Sequence, residues 1–158
     1  MYLKTWDVVL LKDRFTAGFL AGVIGGIAMN VVDWVGYSAG LHDERLLDWA
    51  AVSIYGRLPG NLIEVAFAQV AQILFAGFLG VLFALMLLKL TSGNYLFKGL
   101  IYGNFIWFII YAISIAVRLP TLESHTFSAV LSHFLSATTY GLVLSYTLHR
   151  LEKKIPSP

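Results

Sequence analysis

The sequence predicts an all-α membrane protein: a four-span transmembrane helical bundle built from two tandem helical hairpins, plus a short amphipathic interfacial helix. Composition is the first reason, since 58% of residues are hydrophobic and 13% charged, against about 25% charged in an ordinary soluble domain. The second is two apolar runs, residues 65–88 and 126–148, each longer than the roughly 20 residues that cross a hydrocarbon core. The third is an internal repeat, in which residues 57–90 recur 61 positions later as residues 118–151.

The repeat depends on matched positions in the two segments. Arg-Leu-Pro at 57–59 aligns with Arg-Leu-Pro at 118–120, and Gly80 aligns with Gly141. The matches predict hairpins at 15–90 and 97–152 that have the same orientation and are related by an axis along the membrane normal. Residues 1–158 then form a single membrane domain, with helices expected at 15–38, 61–90, 97–117 and 122–152.

The first span follows a short basic segment, residues 1–14, that we expect to lie at the cytoplasmic interface. Its apolar run, residues 15–32, is long for the core of a signal peptide, so we expect the span to be retained. Small residues at four-residue spacing let helices approach closely. The glycines of this kind that we expect at helix contacts are Gly18, Gly22, Gly26, Gly80, Gly99, Gly103 and Gly141. The candidate partner of the Gly18 and Gly22 face is the Gly99 and Gly103 face.

Residues 41–60 interrupt the repeat as an insertion in the first half. Within it, apolar positions fall near one helical face and predict an amphipathic helix at 43–55 that lies on the membrane. Trp49 and Tyr55 would anchor this helix at the depth of the lipid headgroups.

The basic residues predict the orientation. Eight of the eleven lie on one side of the predicted membrane: Lys4, Lys12, Arg14, Lys89, Lys98, Arg150, Lys153 and Lys154. The positive-inside rule then places both termini in the cytoplasm. A formal charge of +2 without a basic stripe gives no reason to expect a nucleic-acid partner.

Several glycine-rich and aromatic stretches resemble the YqhR-type family of small bacterial, mostly Firmicute, membrane proteins. They are GFLAGVIGGIAMNVVDWVGY in the first span, KGLIYGNFIWFIIY in the third and TYGLVLSY in the fourth. The family has no established biochemical activity. The resemblance implies a four-span protein of the bacterial plasma membrane and supplies no catalytic residue.

Polar side chains inside the spans are the candidates for chemistry, because such groups are costly in lipid and face a bundle interior or a cavity. At 1.5 Å per residue, the polar side chains concentrate in the outer half of the four predicted spans. They predict an outward-facing polar vestibule formed by Asn30, Asp33, Gln69, Gln72, Ser114 and His133. The alternative is interhelical hydrogen bonding that only holds the bundle together, at about 0.6 kcal/mol a pair.

Two of these residues have alternatives of their own. Asp33 precedes Trp34 and could be a helix-end charge at the water interface. His133 could be a neutral imidazole bonded to Gln72 or to a serine. Haem ligation by His133 would need a second chain, because His125 and His149 lie at opposite ends of the same helix and His42 lies in the insertion.

The sequence contains one match to a hydrolase motif, G-x-S-x-G at residues 36–40. That motif needs a strand-to-helix turn to expose its serine, and here it follows a membrane helix. The chain also has no cysteine, HExxH or P-loop. We therefore expect no enzymatic activity, no metal and no cofactor.

Two functions remain. The first is an accessory or scaffold protein that docks other membrane helices, with the lipid bilayer and either a second copy or another membrane protein as partners. The second is a small transporter or channel that uses the vestibule. It would be oligomeric, because four spans leave little room for a transport pathway within one chain.

Overall fold

The fold of the chain is all-helical, in a computed structural model that describes residues 14–90, 93–118 and 126–153. The α-helices are α1 (Arg14–Ser38), α2 (Leu46–Tyr55), α3 (Leu62–Met86), α4 (Tyr95–Ala116) and α5 (Phe127–Lys153), with a 3-10 turn at Leu87–Lys89. Within the described residues, α1, α3, α4 and α5 are long and apolar enough to cross a membrane. The predicted four-span fold is confirmed, and the chain is a multi-pass membrane protein.

The helix ends follow local capping chemistry. The side chain of Asn61 accepts a hydrogen bond from the Glu64 N–H at 3.0 Å and begins α3. Asn94 begins α4 in the same way, through the Phe97 N–H at 3.0 Å. Gly56, with φ 69°, ends α2 in the left-handed conformation that glycine tolerates best. The predicted interfacial segment 1–14 lies outside the described residues, except that Arg14 opens α1. Position 122, the expected start of the fourth helix, also lies outside them, but Thr126 is not helical as predicted: its hydroxyl accepts from the Ala129 N–H at 3.3 Å, and α5 begins at Phe127.

The helices pack in the order α3, α1, α5, α4, since α1 contacts both α3 and α5, and α4 contacts α5. A hydrogen bond of 2.7 Å from the Tyr102 hydroxyl to the Leu79 carbonyl joins α4 to α3. Phe83 packs on the Tyr102 ring, with 5.0 Å between ring centroids. Phe83 and Tyr102 belong to one buried apolar cluster that also contains small residues of α1 and α3 and leucines of α5.

Glycine brings α1 and α3 into backbone contact. A methyl group added to Gly22 would overlap the Ala76 carbonyl oxygen and lie 2.9 Å from Gly77 Cα. One added to Gly18 would lie 2.8 Å from Ala84 Cβ, and one added to Gly26 would lie 2.8 Å from Ala76 Cβ. The partner of this glycine face is α3, so our assignment of Gly99 and Gly103 as its partner is wrong.

Gly99 and Gly103 instead pack within their own hairpin, on α5. A methyl group on Gly99 would overlap the Gly141 carbonyl oxygen, and one on Gly103 would overlap that of Ala137. The α1–α3 crossing contains the matching contacts, Gly18 with Gly80 and Gly22 with Ala76. Gly80 and Gly141, like Ala76 and Ala137, are 61 positions apart. Superposition of the whole hairpins, which the repeat requires, stays a prediction.

Helix α2 does not lie on the lipid surface as we expected but packs against α3 and the bundle. Its buried residues include Leu47, Trp49 and Val52. The Trp49 ring lies 4.8 Å from the Tyr111 ring, so Trp49 is a core residue and not a headgroup anchor. An apolar face on a ten-residue helix can pack on protein as well as on lipid, and here the protein surface is available.

The beginning of α1 and the end of α5 lie at the same end of the bundle. Arg14 approaches Glu152 at 3.6 Å, and the Tyr95 hydroxyl at the start of α4 donates to Glu152 at 3.5 Å. Helix α2 covers the opposite end. The two ends differ in charge as the sequence predicts, while the side on which each end lies stays a prediction.

Substitution of Gly22 by leucine should lower the thermal unfolding temperature of the protein in detergent. The added side chain meets backbone atoms of α3 that cannot move aside, and overpacking of this kind costs about 1–3 kcal/mol or more. Gly93→Leu is the matched control, because a Cβ there has no atom within 4 Å. Equal unfolding temperatures for the two variants would contradict the assigned crossing.

Candidate functional site

The most unusual feature of the bundle is a buried group of one carboxylate and two imidazoles. Asp33 Oδ1 lies 3.7 Å from His42 Nε2 and 3.6 Å from His133 Nε2, and all three side chains are fully buried. The donor atoms lie within 4.8 Å of one another. We call Asp33, His42 and His133 the Asp-His-His centre.

Asp33 reaches the centre from the last third of α1, where its exposure is 0%. Its Oδ2 accepts a hydrogen bond of 2.9 Å from the Leu46 N–H, at the first residue of α2. A carboxylate at that position is stabilised by the helix dipole and satisfies one of the free N–H groups at the start of the helix. The alternative that Asp33 is a helix-end charge in water is therefore wrong.

His42 reaches the centre because the chain turns back after α1. Gly40 has φ 71° at this turn, and a methyl group on Gly36 would overlap Ser132 Oγ and lie 2.9 Å from His42 Nε2. The Nδ1–H of His42 donates to the Glu44 carbonyl at 2.5 Å. Its Nε2 makes no hydrogen bond and points at Asp33.

His133 comes from α5 and contacts three other elements. Its Nδ1 shares a hydrogen bond of 2.6 Å with the Tyr111 hydroxyl on α4. Its Nε2 lies 3.3 Å from the Glu44 carbonyl, and its ring packs edge-on against Trp49 with 5.8 Å between centroids. The partner expected for this imidazole, Gln72 or a serine, is replaced by Tyr111.

The other predicted vestibule residues form a separate cluster of amides between α1 and α3. Asn30 Nδ2 donates to Gln72 Oε1 at 2.7 Å, and Gln69 Nε2 donates to Asn30 Oδ1 at 3.1 Å. Ser114 donates to the Tyr111 carbonyl of its own helix at 2.8 Å. The single open vestibule that we predicted is thus two clusters, and the loop after α1 together with α2 covers the one that contains Asp33 and His133.

An apolar cavity of about 470 Å³ lies beside the centre, between α3 and α4 and beneath α2. Met29, Ala137 and Tyr140 form part of its floor, and His133 reaches it from α5. Other polar groups in the lining are Ser53, Gln72, Tyr111 and Ser114. The cavity therefore has apolar walls and a polar region next to the Asp-His-His centre.

Ser38 of the G-x-S-x-G match is exposed and lies in the last turn of α1. Its hydroxyl donates to the Trp34 carbonyl one turn earlier at 2.7 Å. A serine on a helix in this position has none of the geometry of a nucleophile elbow.

Sequence reasoning placed Asp33 and His133 at similar depth but missed His42 and Glu44. Both lie in the loop between α1 and α2, and their approach to the centre depends on the path of that loop. The available signal was the pair of glycines at 36 and 40, which permits the loop to fold back on α1. Two imidazole nitrogens and a carboxylate oxygen are donors that divalent transition metals accept. Among the described residues the structure brings together one group of three such side chains.

Comparison with known proteins finds no matching family model, no matching curated protein and no matching solved structure. The resemblance to YqhR-type proteins stays a prediction.

The loop carboxylate Glu44 gives a testable pH dependence. Burial raises its pKa above the ordinary value of 4.5, and the charges of Asp48 and Asp43 raise it further. The folded state therefore binds the Glu44 proton more tightly than the unfolded state. The resulting stabilisation is present below pH 4.5 and is lost as the pH rises through the raised pKa.

Glu44→Gln should then raise the thermal unfolding temperature near neutral pH, since the amide stays uncharged. The two proteins should converge as the pH falls to about 4.5. Thermal unfolding in detergent across this range is the measurement. A variant that is less stable than wild type at neutral pH would show that the Glu44 charge is stabilising.

Proposed function

We propose that this chain is a membrane protein that binds a small amphiphilic molecule, with the hydrocarbon part of the ligand in the cavity between α3 and α4. The observation that carries the proposal is the combination of an apolar cavity and a polar region at its covered end. Its volume of about 470 Å³ falls within the roughly 300–1,000 Å³ of pockets that hold small molecules.

The position of the cavity mouth supports a ligand that arrives from the bilayer. Phe75 on α3 and Ile113 on α4 both line the cavity and are 52% and 55% exposed. Ile110 of α4 also lines it and is exposed. These side chains lie on membrane-spanning helices, so an alkyl chain can enter between them without crossing water.

The polar end of the cavity favours an amphiphile over a pure hydrocarbon. Gln72, Ser114 and His133 are among the residues that line the cavity, and His133 lies toward the end that α2 covers. Each of these three side chains already has a hydrogen-bond partner in the bundle, so they make this part of the lining polar at no cost of an unsatisfied group. A ligand with one polar group and an alkyl chain complements both parts of the lining.

The accessory role and the transport role have less support. The glycine faces that would dock other helices are occupied within the bundle, at the α1–α3 and α4–α5 crossings. The polar residues that would form a transport path are divided between two clusters, and α2 with its preceding loop covers one of them. Docking of another membrane protein would use the exposed apolar side chains, which a lipid-facing surface has in any case.

The proposal includes a bacterial plasma membrane, with the start of α1 and the end of α5 facing the cytoplasm. Support comes from Arg14, Lys98 and Arg150, which lie toward the end of the bundle opposite α2. Arg45 and Arg57 lie at the α2 end. This distribution follows the positive-inside rule.

Quenching of tryptophan fluorescence by lipids with brominated chains tests the ligand proposal. In a Trp6→Phe, Trp34→Phe background, the remaining tryptophans, Trp49 and Trp107, both line the cavity. Lipids brominated near the middle of the chain should quench their emission after reconstitution in bilayers. Ala71→Phe should reduce this quenching, because the ring occupies the cavity.

The control is Ala66→Phe, on the same helix at an exposed position outside the cavity lining. It should leave the quenching unchanged. Equal quenching in the Ala71 and Ala66 variants would mean that the bromine atoms reach the tryptophans from the bulk bilayer, and it would remove the ligand proposal.

Cysteine labelling tests the orientation, because the chain has no native cysteine. Leu58→Cys, between α2 and α3, should react with a membrane-impermeant maleimide on intact cells. Gly93→Cys, just before α4, should react only after the cells are lysed. The reverse pattern of labelling would place the α2 end in the cytoplasm.

A further inference from the structure

The Asp-His-His centre contains two buried polar atoms that have no hydrogen-bond partner, Asp33 Oδ1 and His42 Nε2. They face each other at 3.7 Å, beyond hydrogen-bond distance, and neither side chain is accessible to water. Leaving such a group unsatisfied costs about 1–3 kcal/mol, and more for a charged group. Two such atoms aimed at one point require a physical reason.

The hydrogen bonds behind the centre fix which atoms point inward. His42 Nδ1 must carry its proton, because the Glu44 carbonyl can only accept. A neutral His42 therefore presents the lone pair of Nε2 to the carboxylate of Asp33. Two lone pairs in this position repel each other unless a positive charge lies between them.

All three side chains are oriented in the manner of metal ligands. In metal sites the atom that does not bind the ion is held by a carbonyl, a carboxylate or another hydrogen-bonding group. Here Asp33 Oδ2 is held by the Leu46 N–H, His42 Nδ1 by the Glu44 carbonyl and His133 Nδ1 by the Tyr111 hydroxyl. A tyrosine hydroxyl can accept as well as donate, so His133 Nδ1 can carry the proton. His133 Nε2 lies 3.3 Å from the Glu44 carbonyl in this structure, and binding of an ion replaces that contact.

We propose that Asp33, His42 and His133 bind one divalent first-row transition-metal ion, with zinc as the first candidate. Ligands at about 2.0–2.1 Å from a tetrahedral ion lie about 3.4 Å apart. The distances of 3.6 and 3.7 Å from Asp33 Oδ1 to the two imidazole nitrogens are within a few tenths of an ångström of that value. All three donor atoms lie within 4.8 Å of one another, so binding of the ion draws the imidazoles closer together wherever their nitrogens lie farther apart than the tetrahedral spacing. Two nitrogen donors disfavour magnesium and calcium, which take oxygen ligands.

Bound in this way, the ion joins three segments that are distant in sequence. Asp33 belongs to α1, His42 to the loop that precedes α2 and His133 to α5. The ion holds the loop and α2 over the end of the bundle. Three protein ligands also leave a fourth position of a tetrahedral ion open. The inference does not depend on a ligand in the cavity between α3 and α4.

The test measures zinc retained by the full chain, purified in detergent without a polyhistidine tag. The protein is stripped with a chelator, incubated with zinc and desalted, and the metal is counted by elemental analysis. Wild type should retain one zinc per chain. His42→Gln and His133→Gln should lose it, and His149→Gln, whose ring packs on Tyr95 at the opposite end, should keep it.

Tyr111→Phe gives a variant that keeps all three ligands. Loss of the hydrogen bond to His133 should weaken zinc binding about 10-fold to 100-fold in competition with a chromogenic chelator. Zinc should also raise the unfolding temperature of wild type but not that of His42→Gln. Thermal unfolding measured with chelator present shows whether each variant is folded. We expect the His42 variant to fold, because His42 lies in a loop outside the spans.

Two results would overturn the inference. In one, stripped wild type retains no zinc, which would mean that a proton on His42 Nε2 bridges to Asp33 instead. In the other, wild type and the His42 variant retain zinc equally. Both results are independent of the brominated-lipid measurement, so failure of the metal site and failure of the ligand proposal are distinguishable.

Discussion

Close contact between helix backbones at the glycine crossings determines the shape of this bundle. At Gly22 the α1 backbone touches the Ala76 carbonyl of α3, and at Gly103 the α4 backbone touches the Ala137 carbonyl of α5. Both crossings lie toward the end of the bundle that Arg14 and Glu152 mark. Because α3 and α4 each pack tightly on a different partner, a space remains between them toward the other end. That space is the apolar cavity, and α2 covers it.

The spans and their limits could be predicted from the sequence because hydrocarbon thickness and helix rise fix a length, and apolar runs of that length stand out. Which glycine faces meet could not be predicted. A small-residue face indicates a close approach and contains no information on the partner helix. The sequence therefore does not distinguish α3, on which Gly18 and Gly22 pack, from the Gly99 and Gly103 face. The prediction that α2 lies on the membrane surface is wrong for a related reason. An apolar helix face fits lipid and protein equally well, and only the bundle beneath it decides.

The sequence predicts two of the three residues of the Asp-His-His centre, Asp33 and His133, and misses His42. Depth along straight helices is enough to bring Asp33 and His133 to one level, since each residue adds about 1.5 Å. His42 is in a loop, and loop paths have no such rule. The amide cluster of Asn30, Gln69 and Gln72 lay at nearly the same depth, and depth alone could not separate it from the imidazoles. The two clusters differ chemically, because the amides satisfy one another while Asp33 and His42 leave facing atoms without partners.

The hydrogen bond from Tyr102 to the Leu79 carbonyl joins α3 and α4 at one end of the cavity. A small rotation of either helix about this hydrogen bond changes the separation of α3 and α4 least near Tyr102 and most near α2. Lateral pressure in the leaflet around the α2 end therefore changes the distance between α3 and α4 more than the same pressure applied near Tyr102. An alkyl chain bound there, as proposed above, would then occupy a space that depends on the packing of the surrounding lipid as well as on the protein's own side chains.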